Sequence, residues 1–220
     1  MKKKVMKEST AWQIGAHTVM IIGSLLAILP FILLVIASFT DNQTALVNGY
    51  SFTPEKWSLE AYQYIASEWA TIGRAYLMTI LVTVIGTALS LVITSTFAFA
   101  VSNDKLPGHK ILMFLCIFTM LFNGGLVASY YVYSNIFHIK NTIWALIVPT
   151  FLMSPFNVVL VKNYFSNSIS PSILEAARMD GAGVFAVFTK IVMPLSVPIM
   201  ATVGLMTAIG YWNDWTNGLY

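Results

Sequence analysis

Charge is what this sequence has least of: 10% of its 220 residues are Asp, Glu, Lys or Arg, against roughly 25% in a soluble domain. One cysteine, Cys116, excludes a disulfide within the chain and a cysteine-held metal cluster. The three histidines are scattered and assemble no acid–base or metal-ligand constellation, which argues against a membrane enzyme. No G-x4-G-K-[ST] phosphate loop occurs, so the chain is not an ATPase by that mechanism.

What the sequence has is apolar length. Hydrophobic residues make up 57%, and the mean hydropathy is +0.75. Runs at 18–39, 76–101, 111–133, 142–161 and 191–212 contain no Asp, Glu, Lys or Arg. Each can cross a hydrocarbon layer of roughly 30 Å, which takes about 20 residues. The first is longer than a signal-peptide core of about 7–15 residues and no A-x-A site follows it, so it reads as a retained anchor. The expectation is an all-α integral membrane protein with five spans.

The basic residues orient it. With the N-terminus in the cytoplasm, Lys2, Lys3, Lys4, Lys7, Lys105, Lys110, Lys162, Arg178 and Lys190 fall inside, and Lys56, Arg74 and Lys140 outside, which accounts for all 12. This is the positive-inside bias. It explains the net charge of +3 as topology and removes the main support for a nucleic-acid partner. The resulting layout is a cytoplasmic tail (1–17), a first span (18–39), an external loop (40–75) and a core domain (76–220) whose cytoplasmic loop is 162–190.

Several features interrupt the apolar runs. In the loop, Asn48-Gly49 and Pro54 mark turns, and Ser58 can cap a short helix at about 59–65. The loop reads as a solvated cap on the bundle or as a contact for an external partner. Gly86 and Ser90 have the small-xxx-small spacing that lets helices approach closely in lipid. "FNGGL" (122–126) breaks the third run, either as a tight helix crossing at Gly124 and Gly125 or as a kink lining a wet path. Pro149 and Pro155 can kink the fourth, with Asn157 close behind. Asn123, Gly124, Asn157, Trp212 and Asn213 are therefore the candidate pathway-lining residues, although kinked helices also occur in bundles without a path.

The charged segment "EAARMDGAGVFAVFTKIVMPL" (175–195) stands apart. A helix is expected to start near residue 171, through a Ser172–Glu175 capping box or through Pro171 in first position with Ser170 as cap. It should stop at Gly181. A second helical stretch covers 184–190, and Pro194 leads into the last run. The connection from Lys162 to Lys190 greatly exceeds the few residues a turn needs. Ala176 and Ala177 would admit a close partner, and Glu175 and Asp180 could meet its basic groups. A helix lying on lipid would carry a Lys- and Arg-rich face, whereas this one is mixed.

Glu175-Ala176-Ala177, three residues, Gly181, nine residues, Ile191, one residue, Met193-Pro194 resembles the EAA motif of membrane permeases in binding-protein-dependent ABC importers. Met193 stands where leucine is usual. "DGA" (180–182) resembles the sugar-importing branch, and "FNGGL" the LplC-like carbohydrate permeases; "LPGHK" and "WNDW" extend the likeness through the core domain. The resemblance implies a type I permease bundle of six spans, five of them present here, in a bacterial plasma membrane. It implies no cofactor in this chain and no catalysis by it. ATP and Mg would be used by a cytoplasmic ABC ATPase dimer, with a second permease subunit and an external solute-binding lipoprotein completing the importer. It further implies that Glu175, Ala176, Ala177, Asp180, Gly181, Phe185 and Pro194 couple the chain to the ATPase, with Phe185 and Phe188 bracing the loop, and that the solute is carbohydrate. The alternative is an ion-coupled secondary transporter, which would place acids or histidine in the membrane; the spans hold no Asp or Glu.

Overall fold

The computed structural model describes residues 10–220; Lys2, Lys3, Lys4 and Lys7, with the first half of the expected tail, lie outside the described residues. The chain divides into two compact units, Met1–Arg74 and Ala75–Tyr220.

In the first unit, α1 (Thr10–Ser38) is an uninterrupted apolar helix. None of its most apolar window is buried within the chain, as befits a helix whose solvent is lipid. Two short helices follow, α2 (Asn42–Asn48) and α3 (Glu60–Ser67). Asp41 caps α2 by accepting from the Thr44 amide at 3.3 Å, and Gly49 at φ +74 ends it. Ser58 Oγ accepts from the Glu60 amide at 3.0 Å, so it does serve the start of α3. Between the helices the chain is clasped. Thr40 and Trp57 form an antiparallel bridge, the Ser58 amide donates to Phe39 O at 2.8 Å, and Lys56 Nζ lies 2.9 Å from the Asp41 carboxylate.

α4 (Trp69–Ser102) is helical from Trp69, so residues 69–75, expected in the loop, are not loop. At about 1.5 Å per residue its 34 residues make it longer than the hydrocarbon layer is thick. The third run is two helices, α5 (His109–Leu121) and α6 (Gly125–Tyr131), the latter continuing as a π turn through Ile136. They meet at 118°. Gly125 at φ +77 makes that corner, and Asn123 Oδ1 accepts its amide at 2.8 Å. A Cβ at Gly125 would meet nothing within 4 Å, so no helix among the described residues crosses there. The glycine is required by the backbone.

The run at 142–161 is not one helix. It divides into α7 (Ile143–Ile147) and α8 (Pro155–Ser168), with irregular chain between. Pro155 sits in the first turn of α8, where its missing amide costs nothing, and α8 runs well past Lys162, where the loop was expected to begin. Next come α9 (Pro171–Met179), α10 (Val184–Val187), a π turn (Phe188–Val192), α11 (Met193–Leu195) and α12 (Val197–Trp212). The run at 191–212 is therefore bent as well, by 79° at Ser196. Among the described residues two helices are long and apolar enough to cross a membrane unaided, or up to four spans if each bent pair counts as one. Of the five apolar runs, those at 111–133, 142–161 and 191–212 are thus built from shorter helices, broken at Gly125, between α7 and α8, and at Ser196.

The core of the second unit joins α4, α5, α8, α12 and the 184–192 segment through Ala98, Cys116, Val158, Val161, Phe188 and Val203. Gly86 lies under the Tyr211 ring so closely that an added Cβ would sit 2.5 Å from it. Ser90, one turn on, donates to Phe151 O at 3.0 Å. Tyr211 OH donates to Ile147 O at 2.8 Å. Both acceptors belong to the stretch that the prolines break.

Tyr211→Phe is expected to destabilise the unit by about 1–3 kcal/mol, by leaving the buried Ile147 carbonyl unpaired. Gly86→Ala should cost at least as much, because the rigid ring cannot yield. Thermal unfolding of the detergent-solubilised protein measures both.

The loop clasp has its own signature. Lys56 first, then the Thr44 amide, holds the Asp41 carboxyl below its usual range, while Asp41 raises Lys56. A lowered carboxyl contributes stability that is present above its ordinary pKa and lost as pH falls through the lowered value; a raised lysine loses its contribution only as pH rises through the raised one. The clasp should persist across neutral pH, and Asp41→Asn should loosen it there, seen as faster amide exchange at Asp41 and Ser58.

Candidate functional site

Two places gather candidate functional residues: the projection around α9 and a polar cavity between the broken helices. The projection starts at Pro171, with Ser170 in cap position. The Ser172–Glu175 capping box does not form. Ser170 Oγ and Ser172 Oγ bond each other at 2.8 Å instead, and proline at the first position already supplies the helical φ. α9 stops through main-chain bonds alone. The Ala182 amide donates to Ala177 O at 2.9 Å and the Gly181 amide to Arg178 O at 3.1 Å. With Gly181 at φ +81, this is the paired-bond Schellman stop.

That corner sorts the side chains. Leu174, Ala177 and Ala182 pack against the core, while Glu175, Ala176, Asp180 and Gly181 are exposed. Met179 is 88% exposed, a large apolar side chain offered to the surroundings. Of the two phenylalanines expected to brace the loop, one is packed inside and the other is exposed. Phe188 is buried, with its ring centroid 5.0 Å from that of Phe99, whereas Phe185 is 77% exposed and faces outward with Val184. Both sit in a short helical run, of which Val187 and Phe188 turn to the core and Val184 and Phe185 away from it. Pro194 lies in α11 at the end of that run, two residues before the 79° bend. A cleft of about 280 Å³ separates α9 from the end of α4, with Glu175, Arg178 and Lys105 among its lining residues.

The cavity, about 450 Å³, is lined by Thr119, Asn123, Ser129 and Tyr133 from the α5–α6 corner, by residues of the 149–155 break, and by Thr216, Asn217 and Tyr220. No lining residue is Asp, Glu, Lys, Arg or His. Its walls are tied together by side chains. Thr150 Oγ1 donates to Asn217 Oδ1 at 2.8 Å, and Tyr133 OH to Pro149 O at 3.4 Å. Of the five residues proposed from sequence to line a pathway, Asn123 is here. Gly124 is its chain neighbour but not part of the lining. Asn157 is buried between α8 and α12, donating to Thr207 Oγ1 at 3.2 Å. Trp212 and Asn213 are exposed at the end of α12, with Asn213 bonded back to Ile209 O at 3.0 Å. Asn217, Thr150 and Ser129 were missed by sequence reasoning, since a lone polar residue beside an apolar run does not reveal which break it faces.

Residues 9–216 match the family described as "Binding-protein-dependent transport system inner membrane component". The chain belongs to this family. Among curated relatives it is 39% identical, over 89% of its length, to the Bacillus subtilis (strain 168) polygalacturonan/rhamnogalacturonan transport system permease protein YtcP, covering 67% of that protein. It is 35% identical, over 88% of its length, to protein LplC of the same organism, covering 64% of it. Among solved structures it resembles a chain of a bacterial ABC transporter involved in import of the acidic polysaccharide alginate. The TM-score there is 0.79 at 29% identity, over 93% of this chain and 71% of that one. The chain thus spans about two thirds of the length of these curated relatives. As an inner-membrane transport component with long apolar helices, it is a membrane protein.

Gly181→Ala should strain the end of α9 by about 1–2 kcal/mol, since an L side chain at positive φ is crowded. Faster amide exchange at Gly181 and Ala182 would register it without reference to transport.

Proposed function

We propose that this chain is a membrane-spanning permease subunit of an ATP-driven importer for carbohydrate, oligosaccharide rather than monosaccharide, in a bacterial plasma membrane. Its N-terminus lies in the cytoplasm, and α9 is the element through which a cytoplasmic ATPase moves it. The observation carrying this reading is the α9 projection. Its packed face is Leu174 and Ala177, and its free face presents Glu175, Ala176, Met179 and Asp180. A short helix with small residues, a fixed stop and an apolar knob suits a protein groove, while Glu175 and Asp180 suit basic groups at its edge.

The chain performs no chemistry itself in this scheme. ATP and Mg are handled by a dimer of ATPase subunits, a second permease chain completes the pathway, and an external solute-binding lipoprotein delivers the solute. The saccharide assignment draws on the relatives named for polygalacturonan/rhamnogalacturonan and alginate, and on a cavity lined by hydroxyls and amides without charge. Closure of the ATPase would push α9, and the Phe188–Phe99 contact would carry that push to α4. An ion-coupled carrier is the weaker alternative, because it needs titratable groups within the membrane and the apolar runs hold no Asp or Glu.

In proteoliposomes holding the assembled transporter, Glu175→Ala combined with Gly181→Asp should lower ATP-driven uptake about tenfold or more, the scale of a coupling energy of 1–3 kcal/mol. Unchanged uptake and assembly would remove α9 from the coupling role. Uptake abolished by a protonophore yet indifferent to ATP would favour the secondary carrier.

A further inference from the structure

α3 has an apolar face that nothing among the described residues buries. Ala61, Tyr62, Ile65 and Ala66 share that face at helical spacing and are all exposed, while Glu60, Gln63 and Ser67 take the opposite one. α9 differs in this respect, since its Leu174 and Ala177 are packed against the core.

The level of this face is fixed by its attachment to α1, within the first unit. Tyr62 OH and Ser38 Oγ share a hydrogen bond at 2.9 Å, and the Tyr62 ring centroid lies 5.2 Å from that of Phe39. Ser38 is the last residue of α1, so α3 is fastened where the lipid-facing helix ends. Trp57 is held at the same level by its bridge to Thr40, yet it is 60% exposed. Trp69, which opens α4, is exposed as well. Tyrosine and tryptophan, each with an apolar body and a polar end, collect at the boundary between hydrocarbon and water.

We propose that α3, with Trp57 and Trp69 at its flanks, lies in the headgroup layer of the leaflet at which α1 ends and anchors α1 at that depth. Phospholipid is the occupant of its apolar face. That face adjoins α1, whose own surface is given to lipid, and an interfacial helix buries its apolar side about 5–10 Å into the headgroup boundary. The attachment is apolar and aromatic. Lys56 is the one basic residue from 42 to 68 and is engaged by Asp41, while Glu60 sits on the far side of α3 and Glu68 closes it. A helix recruited from solution uses a basic face to find anionic lipid; α3 is tethered through its neighbours α1 and α4, so zwitterionic lipid suffices.

The test reads depth and not transport, so it can fail while the permease reading stands. The assembled transporter is placed in phosphatidylcholine bilayers, with the buried Cys116 left in place and the unsubstituted transporter as background. A nitroxide is attached to Ile65→Cys, Ala66→Cys, Gln63→Cys or Ser67→Cys, one at a time. Labels at 65 and 66 should collide several-fold more with oxygen than with an aqueous nickel chelate, and labels at 63 and 67 should show the reverse preference. Preference for nickel at all four positions would put the segment in water, and protection from both reagents at 65 and 66 would give the face to a protein surface. Either result overturns the anchor. A second measurement needs no label: Trp57→Phe should reduce the share of tryptophan fluorescence quenched by phosphatidylcholine brominated near the top of its acyl chains. An unchanged share overturns the placement of Trp57.

Discussion

A peptide carbonyl freed from its helix inside hydrocarbon has to be bonded by something else in the protein, because lipid offers no donor. The stretch from the end of α7 to the start of α8 is where this obligation organises the second unit. Leu146 O accepts from Asn217 Nδ2 at a long 3.5 Å, Ile147 O from Tyr211, Pro149 O from Tyr133 and Phe151 O from Ser90. Four donors arrive from α4, α12, the π turn after α6 and the C-terminal segment. Breaking one helix thereby fastens four other parts of the chain, each bond standing in place of an unsatisfied group that would cost several kcal/mol. The close approach at Gly86 follows from the same demand, since Tyr211 reaches Ile147 only by lying across a residue without a side chain.

Much of this was legible. Charge scarcity and five uncharged runs gave the membrane class, and Gly86 with Ser90 marked the close helix contact. The spacing of Glu175, Gly181 and Pro194 marked the projecting loop, whose stop falls at Gly181 as expected. What hydropathy could not convey is continuity. A window average treats Pro149, Pro155 and Ser196 as small dents in an apolar run, yet each is where a helix ends or bends, so 142–161 and 191–212 read as whole spans. The start of α4 was misplaced for the converse reason. Residues 69–75 include Arg74 and read as loop, but a helix may continue past the lipid wherever its backbone bonds remain favourable.

The site was less legible than the fold. Asn123 reached the cavity because "FNGG" is a strong local break, whereas Asn157, equally polar and equally close to a proline, is used up in a bond to Thr207. Sequence shows that a polar group needs a partner; it does not show which partner comes first. Phe185 and Phe188 make the same point, since residues three apart on one helical run end in opposite environments.

The stop of α9 is built from two main-chain bonds and one left-handed glycine, with no side-chain oxygen taking part. Outline and lettering are therefore separable in this projection. Glu175, Ala176, Met179 and Asp180 can be exchanged without moving the scaffold that displays them, so descendants of such a chain could acquire a different partner while inheriting the same fitting.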